Sequence, residues 1–181
     1  AWDDFVVVDL DGNVIDGNYR PSVDIDAHIE IYKAFEHVGG IVHTHSPWAT
    51  AWAQAGRPIP CYGTTQADRF FGEIPITREM NPDELGADYE RNIGRIIVET
   101  FRDRDPMAMP SVLFRGHGTF SWGITAMDAA HNAVVLETAA ALAVRTEMIN
   151  DAAKPLYPEM QERCYFRKHR KHAVQEQVMS E

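Results

Sequence analysis

The 181-residue chain has few basic side chains, few cysteines and no long apolar run, and each shortage excludes a class of protein. Seventeen Lys and Arg residues against 27 Asp and Glu residues give a formal net charge of −10. Such a charge repels nucleic acid and anionic lipid, so neither is an expected partner. No apolar stretch approaches the roughly 20 residues that a membrane-spanning helix needs. An anionic substrate would therefore need a local positive group, such as a metal ion or a cradle of backbone amides.

Cysteine is too scarce for a disulfide framework or a thiolate zinc site. Cys61 and Cys164 are the two in the sequence, and this count fits a protein of the reducing cytoplasm. The sequence is compatible both with two free thiols and with a single disulfide between them. The length and the 45% share of hydrophobic residues predict one domain with one core, since domains of about 100–200 residues are common.

Local patterns predict short strands that alternate with helices. The opening residues 5–15 indicate a buried hairpin of strand, glycine turn and strand. Apolar residues at helical spacing predict a helix over 24–37, and Pro47 and Gly56 mark the start and stop of another. Capping and periodicity signals predict the remaining helices over 82–104, over 126–150 and from about 158, with strands at 41–46, 112–114 and 119–122. This alternation favours an α/β layered fold.

Three histidines carry the clearest chemical signal. His43 and His45 are two apart in a predicted strand, and because strand side chains alternate between faces, both imidazoles project from one side. His117 lies between two glycines whose backbone freedom can aim its imidazole at a distant partner. Imidazole binds zinc and its first-row neighbours, and catalytic zinc commonly has three protein ligands and one open position. Spacing alone also allows histidines that merely face solvent or bond to the backbone.

Two aspartates near these elements have ordinary structural interpretations beside the catalytic one. Asp24 precedes the first predicted helix, where an N-cap is the usual role. Asp68 follows a short threonine-rich segment, where a cap or a surface position is usual. His28 has no paired histidine, and we expect it on the surface or in the core.

A longer stretch, residues 39–72, reads GGIVHTHSPWATAWAQAGRPIPCYGTTQADRFFG and resembles the class II aldolase and adducin-head superfamily, in particular the L-ribulose-5-phosphate 4-epimerases. The resemblance continues through IPITREM, IIVETF, MPSVLFRGHGTFSWG and DAAHNAVVLE, and weakens after about Tyr157. It implies a single domain over 1–181 that is a three-layer α/β/α sandwich with a central, mostly antiparallel sheet. It also implies a ring-shaped homotetramer with active sites at subunit contacts.

The resemblance implies a role for each candidate residue. The metal ligands would be His43, His45 and His117, with Asp24 at the metal as a further ligand and catalytic residue. The ion would be zinc, with manganese or cobalt as alternatives. Asp68 would reach into the site of the neighbouring subunit as a catalytic acid or base.

The implied reaction converts L-ribulose 5-phosphate to D-xylulose 5-phosphate in cytoplasmic carbohydrate metabolism, for example arabinose catabolism. Retro-aldol cleavage between carbons 3 and 4 would give a metal-stabilised enediolate, and the aldehyde would re-add through its other face. A class II aldolase or a decarboxylase of a related sugar phosphate is the alternative. A non-catalytic assembly module like the adducin heads is a third interpretation.

Several departures from the family pattern bear on this reaction. The family has an N-terminal segment with a Gly-Asn motif and part of the phosphate cradle, and no part of this sequence matches it. We expect either that this sequence is truncated or that phosphate binding is incomplete. Ser22 matches a substrate-binding serine of the second phosphate element, but Val23 replaces the serine beside it. Cys164 stands where the epimerases have a histidine, and Gln175 where they have a tyrosine that acts as the second acid or base. Epimerisation needs proton transfer on both faces of the aldehyde, so simple cleavage would tolerate that loss better.

Overall fold

A computed structural model describes residues 4–169 of the chain. Its strands and helices alternate, as the sequence patterns predicted. In chain order they are β1 (Val7–Val8), β2 (Val14–Asp16), α1 (Ile25–Ala34), β3 (Gly40–Thr44), α2 (Pro47–Ala55), α3 (Thr64–Ala67), α4 (Tyr89–Thr100), β4 (Ser111–Leu113), β5 (Thr119–Gly123), α5 (Ala126–Ile149) and α6 (Pro158–His169). Among the described residues, no helix is long and apolar enough to cross a membrane.

The central sheet has three antiparallel strands in the order β3-β5-β4. Gly40 pairs with Gly123 at one end of β3 and Thr44 pairs with Thr119 at the other. Side chains alternate between faces along each strand. Phe120 and Trp122 therefore point to one face of β5, and Thr119, Ser121 and Gly123 point to the opposite face.

Helices cover both faces of this sheet. On one face α1 packs against α4, and the Phe35 and Phe101 rings that follow these helices lie 5.1 and 5.0 Å from the Trp122 ring. On the other face α5 packs on β3 and β5, with α2 beside it. A Cβ added to Gly123 would lie 2.4 Å from the Cβ of Asp128 in α5, so that helix lies directly on the sheet. The result is the predicted α/β/α sandwich.

The core fills the space between these layers with large side chains that have almost no exposed surface, among them Trp122, Phe70, Phe120, Ile31, Ile97 and Leu136. Full burial of one such side chain contributes about 1.5–3 kcal/mol. The alternation of β5 places two of these aromatic rings under α1 and α4. The β3 edge of the same sheet carries His43 and leads into His45.

Two sequence predictions were wrong in detail. The helix predicted over 82–104 is a single 3-10 turn, Pro82–Glu84, followed by α4 from Tyr89. The turn closes separately because the Glu84 carboxylate accepts a hydrogen bond from the Asn81 N–H at 2.7 Å and pairs with Arg78. The opening hairpin forms but is exposed, with Ile15 65% exposed. Among residues 4–169, β1 and β2 pair with each other and not with the strands of the central sheet.

Candidate metal centre

The end of β3 and the turn between β4 and β5 bring the three candidate ligands together. His43 lies in β3, His45 directly follows it, and His117 lies two residues before β5, which pairs with β3. One potential ligand atom from each histidine lies within 4.8 Å of the others. The ring centroids are 4.7–5.1 Å apart. This spacing brings three potential ligand atoms around one common point, where they could hold a metal ion.

The ring of His43 is fixed by its surroundings. Its Nδ1 lies 2.9 Å from the carbonyl oxygen of Thr119, so a neutral imidazole donates there and keeps the lone pair on Nε2. The ring also stacks on Phe120 with a centroid distance of 4.2 Å. A carbonyl partner of this kind sets the tautomer and orientation that a metal-binding histidine needs.

Burial favours the neutral form of two of the three histidines, His43 and His117. Desolvation lowers the pKa of both His43 and His117, and the neighbouring imidazoles lower that of His117 further, while Asp24 opposes both shifts. The Nδ1 of His117 is buried and has no hydrogen-bond partner in the described part of the chain. Neutral imidazoles with free lone pairs are the donors that zinc and its first-row neighbours take. The residues therefore fit a divalent metal ion.

Asp24 lies beside this cluster and does not act as a simple helix cap. It occupies the N-cap position of α1, yet its side chain makes no capping hydrogen bond. Its charge raises the pKa values of His43 and His117. No Asp24 oxygen belongs to the cluster of three histidine ligand atoms that lie within 4.8 Å of one another. The Ser22 hydroxyl lies 3.4 Å from the Asp24 carboxylate. Direct ligation by Asp24 and substrate binding by Ser22 stay predictions.

Sequence reasoning missed two neighbours of the cluster. The His28 ring contacts Phe120 edge-on at 5.9 Å, and burial followed by the charge of His43 lowers its pKa. Its spacing of four from Asp24 puts both on one face of α1, which is the signal that could have found it. Tyr89 at the start of α4 lies nearly parallel to the His117 ring, with centroids 6.5 Å apart. No local pattern marked that tyrosine.

Asp68 is paired with an arginine of α6. It follows α3, and Nη2 of Arg167 in α6 donates to its two carboxylate oxygens at 3.0 and 3.2 Å. It is not part of the histidine group within the described residues. Cys61 and Cys164 are free, buried thiols, so the disulfide left open by the sequence is not formed. Gln175 lies outside the described residues.

Comparison with known proteins gives concordant results. Residues 1–144 match the family described as the class II aldolase and adducin N-terminal domain. A protein of Salmonella paratyphi B named L-ribulose-5-phosphate 4-epimerase UlaF is 47% identical over 167 residues, which is 92% of this chain and 73% of that protein.

Solved structures agree on the fold. An L-fuculose 1-phosphate aldolase superimposes with a TM-score of 0.73 at 19% identity, over 97% of this chain and 73% of the other. The L-fuculose 1-phosphate aldolase of Glaciozyma antarctica PI12 gives a TM-score of 0.68 at 17% identity, over 94% and 63% of the two chains. The predicted class II aldolase type of α/β fold is confirmed.

Proposed function

The chain belongs to the class II aldolase and adducin N-terminal domain family, and we propose that it is a metal-dependent epimerase that interconverts L-ribulose 5-phosphate and D-xylulose 5-phosphate. The extended likeness to a protein named as a 4-epimerase carries this proposal. The histidine cluster supplies the chemical rationale, because three imidazoles converge on one point. We place the reaction in the carbohydrate metabolism of the cytoplasm, because the two free thiols are consistent with its reducing environment.

The proposed ligands are His43, His45 and His117, holding zinc, or manganese or cobalt in its place, with Asp24 beside the ion. A bound divalent ion would act as a Lewis acid toward the oxygens that gain negative charge when the carbon 3–carbon 4 bond breaks. The Thr119 carbonyl holds the His43 imidazole in one tautomer, and burial lowers the pKa of that ring. Local positive charge at this point also offsets the net charge of −10, which would otherwise repel a sugar phosphate.

We assign proton transfer at the cleaved bond to Asp68, acting in the site of a neighbouring subunit. The carboxylate is 30% exposed and its two oxygens share one guanidinium nitrogen of Arg167. Within residues 4–169, Arg167 is the side-chain partner of this carboxylate, and contact with one nitrogen leaves lone pairs that can accept a substrate proton. Ser22, exposed beside Asp24, is assigned to the substrate phosphate.

Self-association as a homotetramer is supported by exposed apolar side chains along α5. Met127, Val134, Leu142 and Ile149 are 79%, 66%, 46% and 87% exposed. Their spacing of seven or eight residues places them on one side of the helix. Large apolar side chains exposed along one side of a helix are typical of a protein interface, and a second copy of the chain is the partner that active sites at subunit contacts require.

A steady-state assay tests the proposal. Zinc-loaded protein is incubated with L-ribulose 5-phosphate, and D-xylulose 5-phosphate is measured with a coupled enzyme. We expect turnover, its loss in His43→Ala together with the metal, and a fall of about 100-fold or more in Asp68→Asn with the metal retained.

The alternatives give different products. Release of a free aldehyde without D-xylulose 5-phosphate would identify an aldolase instead. Protein that binds no divalent metal and turns over no sugar phosphate would indicate an assembly module. Loss of metal in Asp68→Asn would refute the proton-transfer role.

A further inference from the structure

The first turn of α2 is capped by a distant carboxylate, although a serine stands at its N-cap. Ser46 makes no side-chain capping bond, and its hydroxyl is buried without a partner in the described residues. Glu137 of α5 instead accepts hydrogen bonds from the backbone N–H groups of Trp48 and Ala49, each at 2.9 Å. These are the donors that an N-cap side chain would normally take.

With that carboxylate in place, every backbone donor of the first turn is accounted for. Pro47 at the first position has no N–H. The N–H of Thr50 bonds to the carbonyl of Ser46 at 2.9 Å, which is the first bond of the helix itself. Glu137 takes the two donors between them. Its negative charge also lies at the positive end of the helix, so the contact is charge-assisted.

Two residues, His45 and the N-cap Ser46, separate β3 from this capped turn. On its N-terminal side the chain is fixed by the pairing of Thr44 with Thr119. On its C-terminal side the chain enters α2, whose direction is set by Glu137. The His45 ring is exposed and rests against the backbone at Gly118, where an added Cβ would lie 2.8 Å from it. Its position in the cluster therefore depends on the backbone at both ends.

We propose that Glu137 is a positioning residue that holds His45 in the metal cluster by clamping the start of α2 to α5. This inference rests on the proposed function only in requiring that the triad bind a divalent ion. Glu137 itself would touch neither the ion nor the substrate. Removing it should loosen one of the three ligands while His43, fixed by the Thr119 carbonyl, stays in place.

The same pair of helices offers a matched control. Glu147, ten residues further along α5, accepts hydrogen bonds from Arg57 at 2.8 and 2.9 Å and from the Tyr62 hydroxyl at 2.9 Å. Arg57 directly follows the left-handed residue that ends α2. Glu147 therefore joins α5 to the far end of α2, away from His45. Its removal should loosen the helix pair without disturbing the cluster.

The experiment measures zinc affinity of the full chain by chelator competition, with thermal unfolding of the metal-free protein in parallel. We expect Glu137→Ala to weaken zinc binding by about 10-fold or more, the range in which outer-sphere changes act. Glu137→Gln keeps one acceptor oxygen and should weaken it less. Glu147→Gln should lower the unfolding temperature yet keep zinc affinity within about 2-fold of the unchanged protein. The visible absorption of bound Co²⁺ should change in the Glu137 variants alone.

Each outcome of this experiment either supports or overturns the positioning role of Glu137. Unchanged zinc affinity in Glu137→Ala, or equal losses in the Glu137 and Glu147 variants, would overturn the positioning role, because only general stability would then be affected. If Glu137→Ala does not fold, Glu137→Gln carries the comparison by the same criteria. An unchanged protein that binds no zinc would instead refute the metal centre and with it the proposed function.

Discussion

Replacing Gly118 by alanine should damage the fold and the metal centre together. An ideal Cβ at this position would lie 2.7 Å from the carbonyl oxygen of Thr44 and 2.8 Å from Cδ2 of the His45 ring. Nonbonded carbon contacts prefer separations of about 3.5–4.0 Å. The methyl group therefore cannot enter without movement of one neighbour or both.

Either movement has a measurable cost. The Thr44 carbonyl belongs to β3, which is hydrogen-bonded to β5 along its length, so displacing it strains the central sheet. Overpacking of this kind costs about 1–3 kcal/mol of unfolding free energy. The His45 ring can rotate instead, but Nε2 of that ring would lie 3.1 Å from the new methyl carbon. We therefore expect zinc affinity to fall by at least about 10-fold.

The assay combines urea unfolding of the metal-free protein with zinc competition against a chelator. Gly86→Ala is the control, because an added Cβ at that exposed glycine has nothing within 4 Å. Its unfolding free energy should stay within about 0.5 kcal/mol of the unchanged protein. If Gly118→Ala matched this control in both stability and zinc affinity, the close packing of His45 on the β4–β5 turn would be refuted.

Three further predictions concern stability and reactivity. Asn132→Ala should cost about 2–3 kcal/mol in urea unfolding, because the buried Asn132 amide donates to the Trp122 carbonyl at 2.6 Å and its removal leaves that oxygen unpaired; a loss under 1 kcal/mol would contradict this. Burial raises the pKa of Cys61 to about 11, so at pH 8 only about one Cys61 thiol in a thousand is ionised. Iodoacetamide should therefore label Cys61 roughly 100-fold more slowly than a free cysteine, and mass spectrometry measures this labelling rate. Hydrogen bonds from Arg78 lower the pKa of Glu84 to about 2, and a carboxyl group with a lowered pKa stabilises the fold above about pH 4.5 but no longer does so as the pH falls toward 2. The difference in unfolding temperature between the unchanged protein and Glu84→Gln should therefore be present at pH 6 and vanish near pH 2. A difference that stays constant with pH would refute the ion pair.

Sequence periodicity was sufficient for the local features of the site. The two-residue spacing of His43 and His45 placed both imidazoles on one side of β3, and their ring centroids are 5.0 Å apart. Pro47 and Gly56 marked α2, which runs over Pro47–Ala55. Each of these features depends on the conformation of a few consecutive residues, and side-chain spacing and proline and glycine preferences encode such conformations directly.

The role of Asp24 shows where local preference fails. An aspartate before a helix is usually a cap, but its side chain makes no capping bond. Its charge acts instead on His43 and His117, which come from other elements. Nothing within a few residues of Asp24 carries that information. The hairpin over residues 5–15 was likewise predicted from its turn. Its exposure could not be predicted in this way, because it depends on how the hairpin lies relative to the central sheet, with which it does not pair.

The sequence by itself therefore determined the strand with two histidines, the helix that follows it and, through extended resemblance, the family. The tertiary structure alone decided which distant groups complete the site. The Thr119 carbonyl that orients His43 is 76 residues away, and Glu137 lies 88 and 89 residues from the two backbone N–H groups it accepts at the start of α2. The physical reason is that β3–β5 pairing and the packing of α5 set these contacts. Both arise from burial of the whole core, which no local pattern in the chain contains.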